Sequence, residues 1–390
     1  MSVALTKVNH ILESLRRVIE LCQGFKGLKP NDKILLKPNM VMRGRRNQPP
    51  HGQVTSVTVV EGMISLLREA GCSKIEIADG GVIHPELRLN TFTAYEWAGY
   101  VEMAERLNVP LIDLNEGPFV MVDLEGLKVQ IARRVLDADF VINLPVLKTH
   151  HQTQVSLGLK NLKGILSFKS KKDFHGYGLE RMIALLGTKV KVDLTVIDGT
   201  FAMQKGPVGE DVHRTDLLVA GKDILQVDIV GSRLLGIEPE QVGHLRIFAE
   251  LTDRSLTVEP GEIRGEKVEE LRKPLEWVDR WPRDLMQRYN ISGIRMEDPG
   301  VSICSGCGFG IFAALNKFFR ENAGANFQGI EICMGRETIA SPEASKVFCL
   351  GKCACDANRK HPNAVLIRGC PPSVQKMYEC FKKELTPAHA

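Results

Sequence analysis

The chain has 390 residues, 44% of them hydrophobic and 25% charged, with a net charge of +4. That balance excludes a disordered or collagen-like chain and a disulfide-stapled miniprotein, and the length suits two or three domains with real cores. An excess of 51 Lys+Arg over 47 Asp+Glu is too slight to call for nucleic acid or an anionic membrane surface as partner.

From the N-terminus, residues 1–24 mix apolar side chains with Lys7, Glu13, Arg16, Arg17 and Glu20 and read as an amphipathic helix. The stretch has neither the apolar core nor the cleavage site of a signal peptide, and no run approaches a membrane span, so the expected location is the cytoplasm. Lys33 to Lys37 is the first expected strand, followed by a loop to about Gln53 and a helix over Val57–Ala70 that stops at Gly71. Ile75 to Ala78, Phe140 to Leu144 and Val192 to Ile197 are further strands. Continuous apolar strands separated by helices indicate a sheet buried on both faces and largely parallel, so the fold class is α/β.

Periodicity fades after Leu251, and short surface helices are expected at 268–271 and 281–289. A final unit then alternates strand (301–303), helix (309–320), strands (330–333, 346–350, 364–368) and helix (373–385). The expected domains are an α/β body over 1–250, a connecting segment over 251–299 and a cysteine-rich unit over 300–390.

Polar residues gather at the ends of the expected strands of the first domain. Lys37-Pro38-Asn39 follows one strand. Asn143 ends another, with Lys148, Thr149 and His150 just beyond it and Lys160-Asn161-Leu162-Lys163-Gly164 ten residues further on. Asp198-Gly199 ends a third. The carboxyl edge of a parallel sheet is where ligands bind. Lysines with amide and imidazole donors there define a pocket for an anionic small molecule or cofactor, with Lys37, Asn39, Asn143, Asn161, Lys163 and Asp198 as binding residues. Lys148, His150 and Lys160 are the acid–base candidates, since burial or neighbouring cations lower a lysine pKa. Asn143 and Asn161 have a plainer reading as caps of backbone groups. Lys169, Lys171 and Lys172 read as a solvated charge run, and His84 and His175 as solitary histidines.

Eight of the ten cysteines lie beyond residue 300, a density that in a reducing compartment points to metal ligation or thiol chemistry. Cys304-Ser305-Gly306-Cys307 sits where a strand passes into a helix, a place that favours thiolates, and its glycines let a bulky inorganic group approach. Cys353 and Cys370 each follow a later strand of the same sheet, so all four should meet at one edge. Four converging thiolates suit a [4Fe–4S] cluster or a zinc ion. Zinc sites usually pair two short-spaced knuckles, and Gly369-Cys370-Pro371-Pro372 is not one, which favours iron–sulfur. Cys349 and Cys355 are alternates for Cys353. Cys22, Cys72, Cys333 and Cys380 read as inert buried thiols.

These cysteine boxes resemble the proximal-cluster domain of nickel–iron hydrogenase small subunits over about 80 residues, which implies a flavodoxin-like unit with one [4Fe–4S] cluster. The boxes Lys37-Pro38-Asn39, Leu147-Lys148-Thr149-His150, Lys160-Asn161 through Gly164, and Asp198-Gly199, in that order, resemble the "domain of unknown function 362" family over residues 30–240. No phosphate-binding loop, dinucleotide fingerprint, His-Glu-x-x-His site or nucleophile elbow is present. The expectation is a cytoplasmic iron–sulfur redox enzyme passing electrons to an anionic ligand. Its rival is a non-enzymatic electron-transfer or assembly subunit serving a redox protein partner.

Overall fold

The structure, a computed structural model, describes residues 2–44, 48–209, 211–278, 280–298 and 302–385. Packing divides the chain into two units, Met1–Ile83 with Leu89–Trp277 and His84–Arg88 with Val278–Ala390. The stretch from 251 to 277 thus lies in the larger unit.

The larger unit is built on strands β1 (Val3–Lys7), β2 (Ile34–Pro38), β3 (Ile75–Asp79), β4 (Leu111–Asp113), β5 (Phe119–Leu124), β6 (Leu127–Ala132), β7 (Phe140–Leu144), β8 (Val146–His150), β9 (Gln154–Val155), β10 (Leu194–Gly206), β11 (Val212–Gly221) and β12 (Ile263–Gly265). The main sheet runs β12-β1-β11-β10-β7-β2-β3-β4, with β8 beside β10 and β9 beside β8; β5 and β6 form a separate hairpin. From β10 to β4 every pairing is parallel, whereas β11 is antiparallel to both β10 and β1.

Alternate side chains of the strands feed opposite cores, as the two-residue period of a strand requires. Ile34, Leu36, Ile77, Ile142 and Val196 join one face with helices Ile11–Leu21 and Val57–Glu69. Leu35, Ala78 and Val141 on the other face pack with Leu162, Leu185 and Leu186. The N-terminal stretch differs from its expected helix. Residues 3–7 are a strand because Ala4 belongs to one core and Val3 and Leu5 to the other, a both-sides burial that no one-faced helix satisfies; the amphipathic helix is Ile11–Leu21 alone.

Chain order reverses at one place in the parallel part of the sheet. The chain steps from β2 outward to β3 and β4, then returns to lay β7 on the other side of β2 and continues to β10. Loops leaving β2 and β7 therefore part in opposite directions, the arrangement that opens a ligand crevice at strand ends. Lys37 and Asn143 are registered neighbours there.

The smaller unit has four parallel strands in chain order, β13 (Ser292–Arg295), β14 (Asn326–Met334), β15 (Lys346–Leu350) and β16 (Ala364–Ile367). Helices Ser305–Glu321 and Val374–Glu384 bury Phe318 and Phe381 against Phe348 on one face. The strand expected at 301–303 starts outside the described residues, and Ser302 and Ile303 belong to no strand; the first strand is β13.

Candidate functional site

Two polar groups occupy the strand ends of the larger unit, and they differ in charge balance. In the first, the fully buried Lys37 ammonium donates to Asp79 Oδ1 at 2.7 Å and to the Pro38 carbonyl at 3.2 Å. Asp79 Oδ2 accepts the Met40 N–H at 2.7 Å, so the ion pair ties the ends of β2 and β3 together. Burial lowers the Lys37 pKa and the Asp79 charge opposes that shift. Gly164 leans on this pair: a β-carbon there would collide with Asp79 Oδ1 and lie 2.8 Å from Lys37 Nζ.

Lys171 joins the same group, which corrects its reading as part of a solvated charge run. Its ammonium donates to the Gly80 carbonyl and to Asn115 Oδ1, each at 2.7 Å, while Asn115 Nδ2 donates to Asp113 Oδ1 at 2.9 Å. Burial brings its pKa down to about 7 although Asp79 and Asp113 pull the other way. No sequence signal marked it, because its neighbours Lys169 and Lys172 are polar and only the return of helix Phe168–Gly176 brings Lys171 to the end of β3.

Lys148, His150, Lys160 and Lys163 form the second group. The Lys148 ammonium is fully buried and donates to the carbonyls of Gln53 at 2.8 Å and Pro207 at 3.4 Å. Burial takes its pKa down to about 7, with Asp79 opposing. His150 Nδ1 accepts the Gln152 N–H at 3.0 Å, so the neutral ring carries its proton on Nε2. Burial first, then Lys160, His151, Lys148 and Lys163, drives the His150 pKa well down. Lys160 is likewise pushed well below the ordinary lysine value, by burial and then by Lys163 and Lys148. Lys163 Nζ lies 2.7 Å from His175 Nε2, so His175 is not solitary. His244, which nothing in the sequence singled out, is buried with neither ring nitrogen hydrogen-bonded, and burial with help from Lys160 holds its pKa near about 3.

Every charge that shifts His150 or Lys160 is cationic, and among the described residues neither Lys148 nor Lys160 is paired with a carboxylate. Such a cluster stays neutral by giving up protons, or it holds an anion.

The remaining expected binding residues are engaged by backbone. Asn143 Nδ2 donates to the Gly158 carbonyl at 3.0 Å and its Oδ1 accepts Asn161 Nδ2 at 2.8 Å, so the two amides dock the short helix Gly158–Asn161 on β7. Asn39 exchanges backbone hydrogen bonds with Thr55, through the Thr55 hydroxyl and N–H. Asp198 accepts the N–H groups of Ser56 at 2.6 Å and Thr200 at 3.0 Å, anchoring the start of helix Val57–Glu69.

In the smaller unit, Cys304 is the N-cap of helix Ser305–Glu321 and Cys307 lies in its first turn; Cys353 is in the first turn of helix Gly351–Ala357 and Cys370 follows β16. The Lys352 N–H donates to the Gly369 carbonyl at 2.8 Å, locking the last two loops together. Gly351, at φ +87°, leaves room for Cys307: a β-carbon there would stand 3.4 Å from its Sγ. The Cys307 pKa is raised first by its hydrogen bond with Cys304, then by burial and the charges of Cys304, Cys370 and Cys353. Cys353 is raised by burial and by Cys304 and Cys370, with Arg336 opposing. Cys304, Cys353 and Cys370 thus all lie near enough to Cys307 to bear on its ionisation.

Four thiolates are the donor set that an iron–sulfur cluster would take, each on a separate iron. Among the described residues no group of three or more His, Cys, Asp or Glu side chains is placed to hold a metal ion. A β-carbon on Gly306 or Gly308 would meet nothing within 4 Å, leaving space beside Cys304 and Cys307. Cys349 and Cys355, the alternates, lie elsewhere, buried with Cys333 on the other face of the sheet. His84, which the chain division assigns to this unit, is buried against Gly310 with neither ring nitrogen hydrogen-bonded.

The fold defines an α/β protein with buried lysines gathered at the strand ends of a largely parallel sheet, where the strand order reverses. Residues 34–233, just over half of the chain, match the family described as Domain of unknown function (DUF362), and the chain belongs to that family. It is 29% identical over 242 residues to the thylakoid-associated protein sll1697 of Synechocystis sp. (strain ATCC 27184 / PCC 6803 / Kazusa), a match spanning 60% of this chain and 72% of that protein. Among solved structures it is similar to the lactate racemase apoprotein from Thermoanaerobacterium thermosaccharolyticum, with 12% identity, a TM-score of 0.36 and coverage of 58% of this chain and 56% of that one. No helix among the described residues is long and apolar enough to cross a membrane.

Proposed function

We propose that this chain is an iron–sulfur oxidoreductase whose smaller unit binds one [4Fe–4S] cluster through Cys304, Cys307, Cys353 and Cys370, and whose larger unit binds an anionic substrate or cofactor. The observation that carries the reading is the separation of the cysteines: these four meet at one sheet edge while Cys333, Cys349 and Cys355 gather on the opposite face. The resemblance of the cysteine boxes to the proximal-cluster domain of nickel–iron hydrogenase small subunits supports it. When bound, the cluster supplies one-electron transfer. A cytoplasmic location keeps the thiols reduced for assembly.

The residues of the larger unit have their own tasks. Lys160 and the Nε2–H of His150 bind and orient the anion, whose charge returns a proton to the lysines that burial has depleted. Lys148, with a pKa near about 7 and its donors fixed on two carbonyl oxygens, holds or releases a proton at Nζ in the neutral range. Lys37, committed to Asp79, positions the strand ends rather than the ligand.

Anaerobic purification tests the cluster. Brown protein with about four iron and four sulfide per chain is expected, with most iron lost in Cys370→Ser and retained in Cys349→Ser. One zinc per chain and no sulfide overturns the reading.

A second reading, an electron carrier without its own substrate, is favoured by the exposure of Cys353 and Cys370, which leaves the cluster edge open to a partner redox protein. Replacing Lys148 and Lys160 by Met separates the two: an enzyme loses turnover with its cluster intact, and a carrier keeps its rate of electron delivery.

A further inference from the structure

Three thiols outside the cluster site form a compact group that neither pocket uses. Cys333 on β14 and Cys349 on β15 are registered partners in adjacent parallel strands, and both are fully buried. Strand neighbours lie about 4.8 Å apart, inside the Cα separation of roughly 4.4–6.8 Å that a disulfide spans. Their side chains point to the same face and share a hydrogen bond, which sets the two sulfurs beside each other. Cys355 stands beside them, its thiol donating to the Cys349 carbonyl at 3.2 Å from helix Gly351–Ala357. The surrounding patch is small, with Ala340, Val347 and Ala354 as its other buried members.

The cover over that face is thin. It consists of the two-turn helix Gly351–Ala357 and the loop after β14, which is held mainly by side-chain hydrogen bonds. Asn358 accepts the Ala340 N–H at 2.8 Å and donates to the Thr338 carbonyl at 2.9 Å, while Glu331 accepts the Ser341 N–H at 2.9 Å. A loop held by side chains and not by a strand ladder can open locally without unfolding the sheet, and such opening admits a small oxidant.

We propose that Cys333 and Cys349 are a redox-active dithiol that closes to a disulfide between β14 and β15, a modification site separate from the cluster cysteines. The oxidant class is a hydroperoxide. The Cys349 thiolate attacks the terminal peroxide oxygen, the O–O bond breaks, and a sulfenic acid forms on Cys349 as water or an alcohol leaves. Cys333 sulfur then attacks that sulfur, releasing the sulfenic oxygen as water. Two thiols lose two electrons and the peroxide gains them. Cys349 is the nucleophile because the hydrogen bond from Cys333 lowers its pKa against the opposing effects of burial and Glu331. Cys333, as the donor, is held protonated until it resolves the sulfenic acid.

The test treats the full chain, as isolated anaerobically, with one equivalent of hydrogen peroxide, then alkylates under denaturing conditions and maps peptides by mass. The expected product is a Cys333–Cys349 linked pair, two hydrogens lighter than the separate peptides and reopened by dithiothreitol. Cys333→Ala and Cys349→Ala each abolish the link, and Cys355→Ala keeps it. Recovery of Cys333 and Cys349 both alkylated, with the peroxide consumed and only other cysteines oxidised, overturns the proposal. Absorbance recorded alongside reports cluster loss independently, so failure of this inference is distinguishable from failure of the cluster assignment.

Discussion

Lys148 and Lys37 are both fully buried lysines of one sheet, yet their surroundings give them opposite characters. Lys37 has a carboxylate at 2.7 Å, whereas Lys148 has only carbonyl oxygens. Removing one member of a buried pair leaves the other uncompensated, so Asp79→Asn should cost about 3–5 kcal/mol of unfolding free energy. The double variant Lys37→Met with Asp79→Leu should recover much of that loss, and denaturant titration of the singles and the double decides it; equal losses in all three would refute pairing as the cause. For Lys148 the effect is one of pH. Its folded pKa of about 7 lies below the unfolded lysine value of about 10.4. Between those limits the unfolded chain binds a proton that the folded chain does not, so the contribution of Lys148 to stability rises with pH across that window and is most unfavourable below it. A bound anion reverses the preference by pairing with the protonated amine. Phosphate or a dicarboxylate should therefore raise the melting temperature more at pH 6 than at pH 9, and Lys148→Met should remove that difference while stabilising the ligand-free protein. An anion shift independent of pH in both proteins would rule out Lys148 as the proton-linked group. The strand-end lysines were readable in sequence because each follows a β-branched or apolar run directly. Their division into a paired and an unpaired set was not, since Asp79 meets Lys37 only through the pairing of β2 with β3.

Among the elements, helix Val57–Glu69 and strand β10 show how residues that read as ligands can serve the fold. Asp198 stood at an expected strand end, and its carboxylate receives the N–H groups at the start of that helix and of Thr200. Asp198→Ala leaves those buried donors unsatisfied and should cost roughly 1–3 kcal/mol; retained anion-induced stabilisation in the folded variant would assign it to the scaffold, whereas loss of that stabilisation at full folding would return it to the pocket. Central parallel strands were legible because burial on both faces writes itself as an unbroken apolar run, as in residues 140–144. Strand β1 was hidden by the helical period of the residues after it, and β11 because its polar first half gives no apolar run. In the smaller unit the Gly351–Ala357 turn explains what spacing alone left open. Cys353 and Cys355, two positions apart on a helix, face different sides, so one joins Cys304, Cys307 and Cys370 while the other reaches back to Cys349.

On the scale of the whole molecule, the two units carry unequal chemistry and should respond unequally to its loss. A group bound only by the folded state stabilises the part of the chain that binds it, and the effect reaches as far as that part folds cooperatively. The four cysteines proposed to hold the cluster come from three separate segments of the smaller unit, at the start of helix Ser305–Glu321, after β15 and after β16, so a bound cluster would tie together elements that otherwise share only a four-stranded sheet and its packed aromatics. The larger unit has its own ten-stranded sheet and cores and contributes no cysteine to the set. Iron removal by a chelator under anaerobic conditions should therefore raise amide hydrogen exchange around residues 302–310, 350–358 and 368–375 by at least tenfold, equivalent to roughly 1.4 kcal/mol of local opening. Strands β2, β3 and β7 should keep their protection. As the iron leaves, the released thiolates and sulfide take up protons, since cluster ligands are bound deprotonated, and Cys307 and Cys353, whose pKa values stand raised, hold theirs most firmly. Chelation should accordingly consume acid in an unbuffered sample, at a rate matching the loss of colour. Exchange that rises equally in β2 and in the cysteine loops would show that the cluster supports the chain as one cooperative body, and exchange unchanged in both would remove these cysteines from any structural metal-binding role.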